Sequence, residues 1–168
     1  MTAHEKRPLR RRVQARVMRV INVPMRFVLG LPFPTPLGNR LMLVFLTGRR
    51  TGKSYRQPLS YVRHDQTLLT PGGGKWKLNL QVGRPERIRL QGRDVYALPE
   101  LVDDIDEIER LLAVMTTANT RVGSFVGIPK GRDGRLDRIM LREAIQYGFR
   151  VVRWHIKESD APAARQSH

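Results

Sequence analysis

The sequence predicts an α+β protein, an antiparallel barrel or sandwich with helices flanking it. Three observations point there. Between Arg40 and Leu98, four or five short apolar or alternating runs are separated by tight turns, the pattern of an antiparallel sheet. Leu101 to Met115 and Leu136 to Tyr147 carry apolar residues at helical spacing. Phe149 to Ile156 alternates again and reads as a final strand. With 168 residues the chain is long enough to bury one sizeable core.

Taken in order, residues 1–36 read as a basic arm. Residues 1–30 hold eight Lys and Arg against Glu5 alone, a charge of +7. Val13, Val17, Val20 and Ile21 form one stripe of a helix that Pro24 stops or kinks. Met25, Phe27, Val28, Leu29, Leu31 and Phe33 follow among Pro32, Pro34 and Pro36. Such an arm suits an anionic membrane surface. It equally suits a helix that packs its valines on the domain and leaves its arginines solvated. Nucleic acid is the less suitable partner, because no aromatics interleave the cations and no helix-turn-helix or RNA-binding signature follows.

The strands come next. Leu41 to Leu46 is a continuous apolar run, suited to a fully buried strand, and Pro58 to Arg63 is the second strand. His64-Asp65-Gln66 turns into Thr67 to Thr70; Pro71-Gly72-Gly73-Gly74 then leads into a short helix from Lys75 to Leu80. Arg87 to Leu90 and Val95 to Leu98 flank the turn Gln91 to Asp94. The acids Asp103, Asp104, Asp106, Glu107 and Glu109 lie on the next helix, where they complement its dipole and form a solvated face. Thr116 to Asp133 reads as a long glycine-containing connection of the kind that forms lids, and Gly148 ends the last helix. Residues 37–158 make the predicted domain and residues 159–168 a disordered tail.

Composition narrows the chemistry. The charge of +16 implies an anionic partner: nucleic acid, a membrane surface or a polyanionic small molecule. Without cysteine there is no disulfide, thiolate metal site or Cys nucleophile. His4, His64, His155 and His168 show no ligand spacing, so no metal site is expected. No apolar run approaches the roughly 20 residues that span a bilayer, and no cleavage site follows the basic arm. A cytoplasmic protein is expected, peripheral to the membrane at most.

The feature richest in chemistry is Thr47-Gly48-Arg49-Arg50-Thr51-Gly52-Lys53-Ser54-Tyr55-Arg56. Glycine opens backbone N–H groups to a ligand and arginine adds a planar donor fork, so this composition suits an anion-binding turn. A solvated basic hairpin turn is the plainer reading. Gly52-Lys53-Ser54 is not a nucleotide-triphosphate loop: the required first glycine is Thr47, and strand residues, not a helix, follow. Gly72-Gly73-Gly74 before a short helix is a second candidate anion site.

The run from Leu46 to Lys53 with Pro58-Leu59 resembles the T-G-R-K-[ST]-G-x-x-R-x-x-P-L signature of the deazaflavin-dependent nitroreductases and quinone reductases of actinobacteria. Gly72 to Leu80 is similar to that family's glycine-rich loop and W-x-x-N-L element, and Gly83 to Glu86 to its A-N-P-x run. The resemblance covers roughly residues 38–98. Arg50 stands at the family's lysine, and Tyr55 at its later arginine, with Arg56 one residue on.

The resemblance implies a split β-barrel of the FMN-binding type that transfers a hydride from reduced coenzyme F420 to a hydrophobic acceptor, such as a quinone, nitro compound or unsaturated lipid. It implies a cofactor site of Thr47, Gly48, Arg49, Arg50, Thr51, Gly52, Lys53, Arg56 and Pro58 with Gly72, Gly73, Gly74, Lys75, Trp76, Lys77 and Asn79. In it Arg49, Arg50, Lys53 and Arg56 would hold the phosphate and glutamate tail. Gly72 to Lys75 would supply amides and charge, and Trp76, Lys77 and Asn79 would shape the ring pocket. Hydride chemistry belongs to the cofactor, which accounts for the lack of a strong acid–base constellation. Tyr147, Tyr61 and Ser124 are the candidate proton donors, each with a structural reading beside it. FMN is the alternative cofactor. A non-catalytic flavin, deazaflavin or lipid carrier and a basic nucleic-acid-binding barrel are the alternative functions. The protein is expected to be a monomer or homodimer.

Overall fold

The computed structural model describes residues 24–157, apart from the side chains of Ser124 and Phe125. The valine stripe of the arm and the tail beyond residue 158 lie outside the described residues. A helical segment at residues 24–29 (α1) and a 3₁₀ turn, Pro36–Asn39, lead into β1 (Leu41–Thr47). There follow β2 (Ser54–Ser60), β3 (Val62–His64), β4 (Thr67–Gly72), a 3₁₀ turn Lys75–Asn79, β5 (Glu86–Leu90) and β6 (Arg93–Val102). Helices α2 (Ile105–Ala118), α3 (Thr120–Val126) and α4 (Arg138–Gln146) precede β7 (Arg150–Lys157).

Among the described residues, seven strands form one antiparallel sheet in the order β2-β1-β5-β6-β7-β4-β3. Its two edge strands, β2 and β3, are separated in the chain by Tyr61 alone. Consecutive Cα atoms lie about 3.8 Å apart, so the edges must meet at that residue, and the sheet curls into a half-barrel. The α+β split-barrel class read from the sequence is the one observed. Tyr61 is buried; its hydroxyl donates to the Gly38 carbonyl at 2.8 Å and its N–H to that of Arg40 at 3.0 Å. Both bonds tie the corner to the 3₁₀ turn before β1.

The strand period of two sends alternate residues to opposite faces. Met42, Val44 and Leu46 of β1 point into the barrel with Leu68, Ile88 and Trp154. The Trp154 indole N–H donates to Thr70 Oγ1 at 3.2 Å, which satisfies the one polar atom of a fully buried side chain. On the other side α2 lays Ile108, Leu111, Leu112 and Met115 against Leu69, Val102 and Val151. Asp104 caps α2 by accepting from the Glu107 N–H at 2.9 Å.

Several elements differ from the sequence reading, each for a tertiary reason. The predicted strand from Pro58 to Arg63 is two strands, because the chain changes sheet edge at Tyr61. Strand β2 starts four residues earlier, at Ser54, drawn out by pairing with β1. Leu101 and Val102 belong to β6, where β7 supplies hydrogen-bonding partners, and not to the following helix. Part of the expected connection from Thr116 to Asp133 is helix α3, capped by Asn119. The strand prolines sit where an N–H is dispensable: Pro58 on edge strand β2, Pro71 beyond the reach of β3, and Pro99 beyond the reach of β5.

Tyr61→Phe strands the Gly38 carbonyl, which costs roughly 1–2 kcal/mol. For a chain of this size Tm falls by roughly 2–8 °C in a calorimetric scan. Acid also weakens the fold where carboxylates are paired with cations, as at Asp94 with Arg89 and around Arg153. The Glu100 carboxyl lies below its ordinary value of 4.5 through its bond to His155 and the nearby Arg153, and Glu107 does so through Arg110 and Arg153. Their contribution is present above that ordinary value and is lost as pH falls through the depressed folded values. Glu100→Gln with Glu107→Gln makes the acid limb of a plot of urea midpoint against pH shallower, with the Asp94 contribution left in place.

Candidate functional site

The basic segment is the turn of the β1–β2 hairpin, closed by the pair Thr47 and Ser54. Gly48 N–H donates to the Lys53 carbonyl at 2.9 Å, and Gly52 N–H to the Gly48 carbonyl at 2.7 Å. Gly52 has φ of +65°, and a Cβ on Gly48 would come within 2.8 Å of Thr51 Oγ1. Both glycines therefore serve the turn itself. Arg49, Arg50 and Lys53 are exposed and make no ion pair among the described residues.

One side chain links this turn to the glycine-rich segment. Asn79, at the end of the 3₁₀ turn Lys75–Asn79, accepts the Arg49 N–H at 3.0 Å and donates from Nδ2 to the Tyr55 hydroxyl at 2.6 Å. Trp76 in the same turn stacks on Trp154, with ring centroids 6.3 Å apart and planes 11° from parallel. One face of Trp76 is thus committed to the core.

The glycines before the turn differ in role. Gly72 closes β4 opposite Arg150, and a Cβ there would lie 2.8 Å from the Arg150 carbonyl oxygen. Gly73 and Gly74 are exposed, and a Cβ on Gly74 would strike Trp76 at 2.8 Å. Lys75 is exposed, whereas Lys77 is only 9% exposed. Lys77 Nζ donates to the Gly74 carbonyl at 2.7 Å. Burial, and then the charge of Arg150, push its pKa down. Arg150 donates to the carbonyls of Ile145 at 2.8 Å and Phe149 at 2.6 Å. No carboxylate bonds either cation among the described residues. Two neighbouring cations and open glycine amides make a place short of negative charge.

A groove of ≈ 440 Å³ runs between Leu80–Gly83, which follow the 3₁₀ turn in the chain, and Leu98–Leu101, reaching His155. Its size lies in the range of small-molecule sites.

The remaining sequence candidates are placed elsewhere. Arg56 and Pro58 lie on the opposite face of β2 from Tyr55, because neighbouring strand residues face opposite ways. Arg56 instead stands 5.9 Å from the Phe45 ring, which Arg87 covers at 3.8 Å. Tyr61 holds the barrel corner, and Tyr147 is 91% exposed at the C-cap of α4. Ser124 lies in α3, and its side chain is outside the described residues. Two residues of the site were not singled out for it. Tyr55 carries no sequence signal beyond standing where the resemblance would place an arginine. Arg150 has no local signal at all, since β4–β7 pairing brings it to Gly72 from 78 positions away in the sequence.

No protein-family model and no curated protein matches the chain. Solved structures similar to it include a Bacteroides thetaiotaomicron protein assigned to 5-nitroimidazole antibiotic resistance. That alignment has 14% identity and a TM-score of 0.49, and covers 71% of this chain and 74% of the other. An F420-H2 dependent reductase aligns at 13% identity and a TM-score of 0.45, over 70% of this chain and 94% of its own. A structure described as a domain-swapped dimer aligns at 13% identity and 0.46, over 84% and 98%. These likenesses concern the fold alone.

Lys77→Met removes a buried charge that is disfavoured by desolvation and by Arg150. Without ligand, Tm of the variant rises. The gap to the unsubstituted protein narrows as pH climbs through the lowered pKa of Lys77, because the neutral amine no longer bears the cost. Thermal melts at neutral and alkaline pH check both signs.

Proposed function

We propose that the chain binds a deazaflavin coenzyme of the F420 type and reduces a hydrophobic acceptor with it. The observation that carries this reading is Asn79. The two halves of the sequence signature lie some thirty residues apart, and Asn79 holds one against the other through Arg49 and Tyr55.

The residues present fit such a ligand at its charged end. Arg49, Arg50 and Lys53 offer exposed cations to a phosphate and carboxylate tail. Buried Lys77 and half-buried Arg150 supply positive charge beside the amides of Gly73 and Gly74, which an anionic oxygen would balance. The groove along Leu80, Leu98, Pro99 and Leu101 offers an apolar surface to a ring or acceptor. When bound, the coenzyme supplies the hydride. Arg56 is not part of this grip, and Tyr55 takes the inward place of the family's arginine, where it orients Asn79 instead of binding phosphate. The basic arm of residues 1–30 would keep the protein close to a membrane in which such acceptors dissolve.

Titrating the full chain with reduced F420, followed by coenzyme fluorescence, tests the reading. Binding is expected, with oxidation of the coenzyme only when menadione is added. Arg50→Glu with Lys53→Glu weakens binding at least about tenfold while the circular dichroism spectrum stays unchanged. Binding without turnover identifies a carrier, and binding of FMN in place of F420 identifies a flavoprotein. Failure to bind either coenzyme overturns the proposal.

A further inference from the structure

A second cleft, of ≈ 730 Å³, opens at the base of the β1–β2 hairpin toward α1, with Thr47, Ser54 and Tyr55 at its end nearest the basic turn. Arg26 and Phe27 of α1 form one wall, and Phe45, Arg56 and Arg87 of the sheet form the other. Phe45 is ringed by guanidinium groups: Arg87 at 3.8 Å from its centroid, Arg56 and Arg89 each at 5.9 Å. Stacking on an aromatic face fixes the planar forks without using their donors.

Negative charge nearby is insufficient. Asp94 is engaged in a two-point bond by Arg89, at 2.6 and 2.9 Å, and lies 3.6 Å from Arg87. Arg89 also donates to the Gly30 carbonyl, which fastens the end of α1 to the sheet. Arg26 and Arg56 have no acidic partner among the described residues. The Nε of Arg26 is buried and unbonded, the one such side-chain atom among the described residues. A buried donor without an acceptor, in a cleft where like charges converge, suits an anionic ligand. At the rim Phe27 is 73% exposed, an apolar surface directly beside the cations.

We propose that this cleft binds the phosphate group of an amphiphile, held among Arg26, Arg56 and Arg87 with its apolar body along Phe27. A membrane phospholipid and a soluble phosphorylated amphiphile share that chemistry. Two measurements on the full chain separate them. One is flotation with phosphatidylcholine vesicles with and without phosphatidic acid. The other is calorimetric titration with a short-chain phosphatidic acid kept below its micelle concentration.

Binding of the short-chain ligand is expected, and Arg56→Gln with Arg87→Gln weakens it at least about tenfold. Phe27→Ser keeps every charge, sits at an exposed position, and weakens binding severalfold. Flotation that depends on phosphatidic acid and is lost in the double variant assigns the site to the membrane. Short-chain binding without flotation assigns it to a soluble ligand. The proposal is overturned if the unsubstituted chain binds neither probe. It is equally overturned if both variants, with unchanged Tm, bind as the unsubstituted chain does, since the basic arm would then account for all the affinity.

Discussion

Strands β2 and β3 occupy opposite ends of a seven-stranded sheet, yet Tyr61 alone stands between them in the chain. A flat sheet cannot satisfy that connection, because one residue bridges only a few ångströms. The sheet must curl until its edges meet, and curling gives it an inside and an outside. The buried hydroxyl of Tyr61, bonded to Gly38, pins the corner to the turn that launches β1. Once the curvature is set, the period of two along each strand decides which side chains face the core cluster around Trp154 and which face α1.

That division separates the cations of the hairpin into two groups with different surroundings. On the turn, Arg49, Arg50 and Lys53 stand in solvent beside Asn79 and the glycine-rich segment. One residue into β2, Tyr55 faces Asn79 while Arg56 faces Phe45 and α1. A shift of one position in a strand is a change of face, not a small displacement. Arginine at either position conserves charge and composition, but only one of them can reach the site beside the turn. The same rule makes the cleft toward α1, where arginines from α1, β2 and β5 converge around one aromatic ring.

Much of the fold was legible locally. The apolar run of β1, the hairpin turns, the helix that became α2 and the glycine after α4 all follow from period, capping and turn chemistry. The misplaced boundaries share one cause. Ser54 to Gln57, Leu101 and Val102 are strand because a neighbouring strand supplies their hydrogen bonds, and nothing in their own identities requires it. Short helix α3 depends on packing Val122 among the apolar residues of α2, with Asn119 capping both the end of one helix and the start of the next.

By itself the sequence determined the class of fold, the excess of positive charge, and the order of two glycine-bearing motifs that point to an anionic ligand. These depend on composition and on neighbours within a few positions, which the chain carries wherever it folds. Tertiary structure decided which motif residues meet. Asn79 joins Arg49 and Tyr55, Arg150 comes to Lys77 and Gly72 from the last strand, and Arg56 is turned away. Such relations depend on strand register and on the curl imposed at Tyr61, and both are properties of the whole sheet.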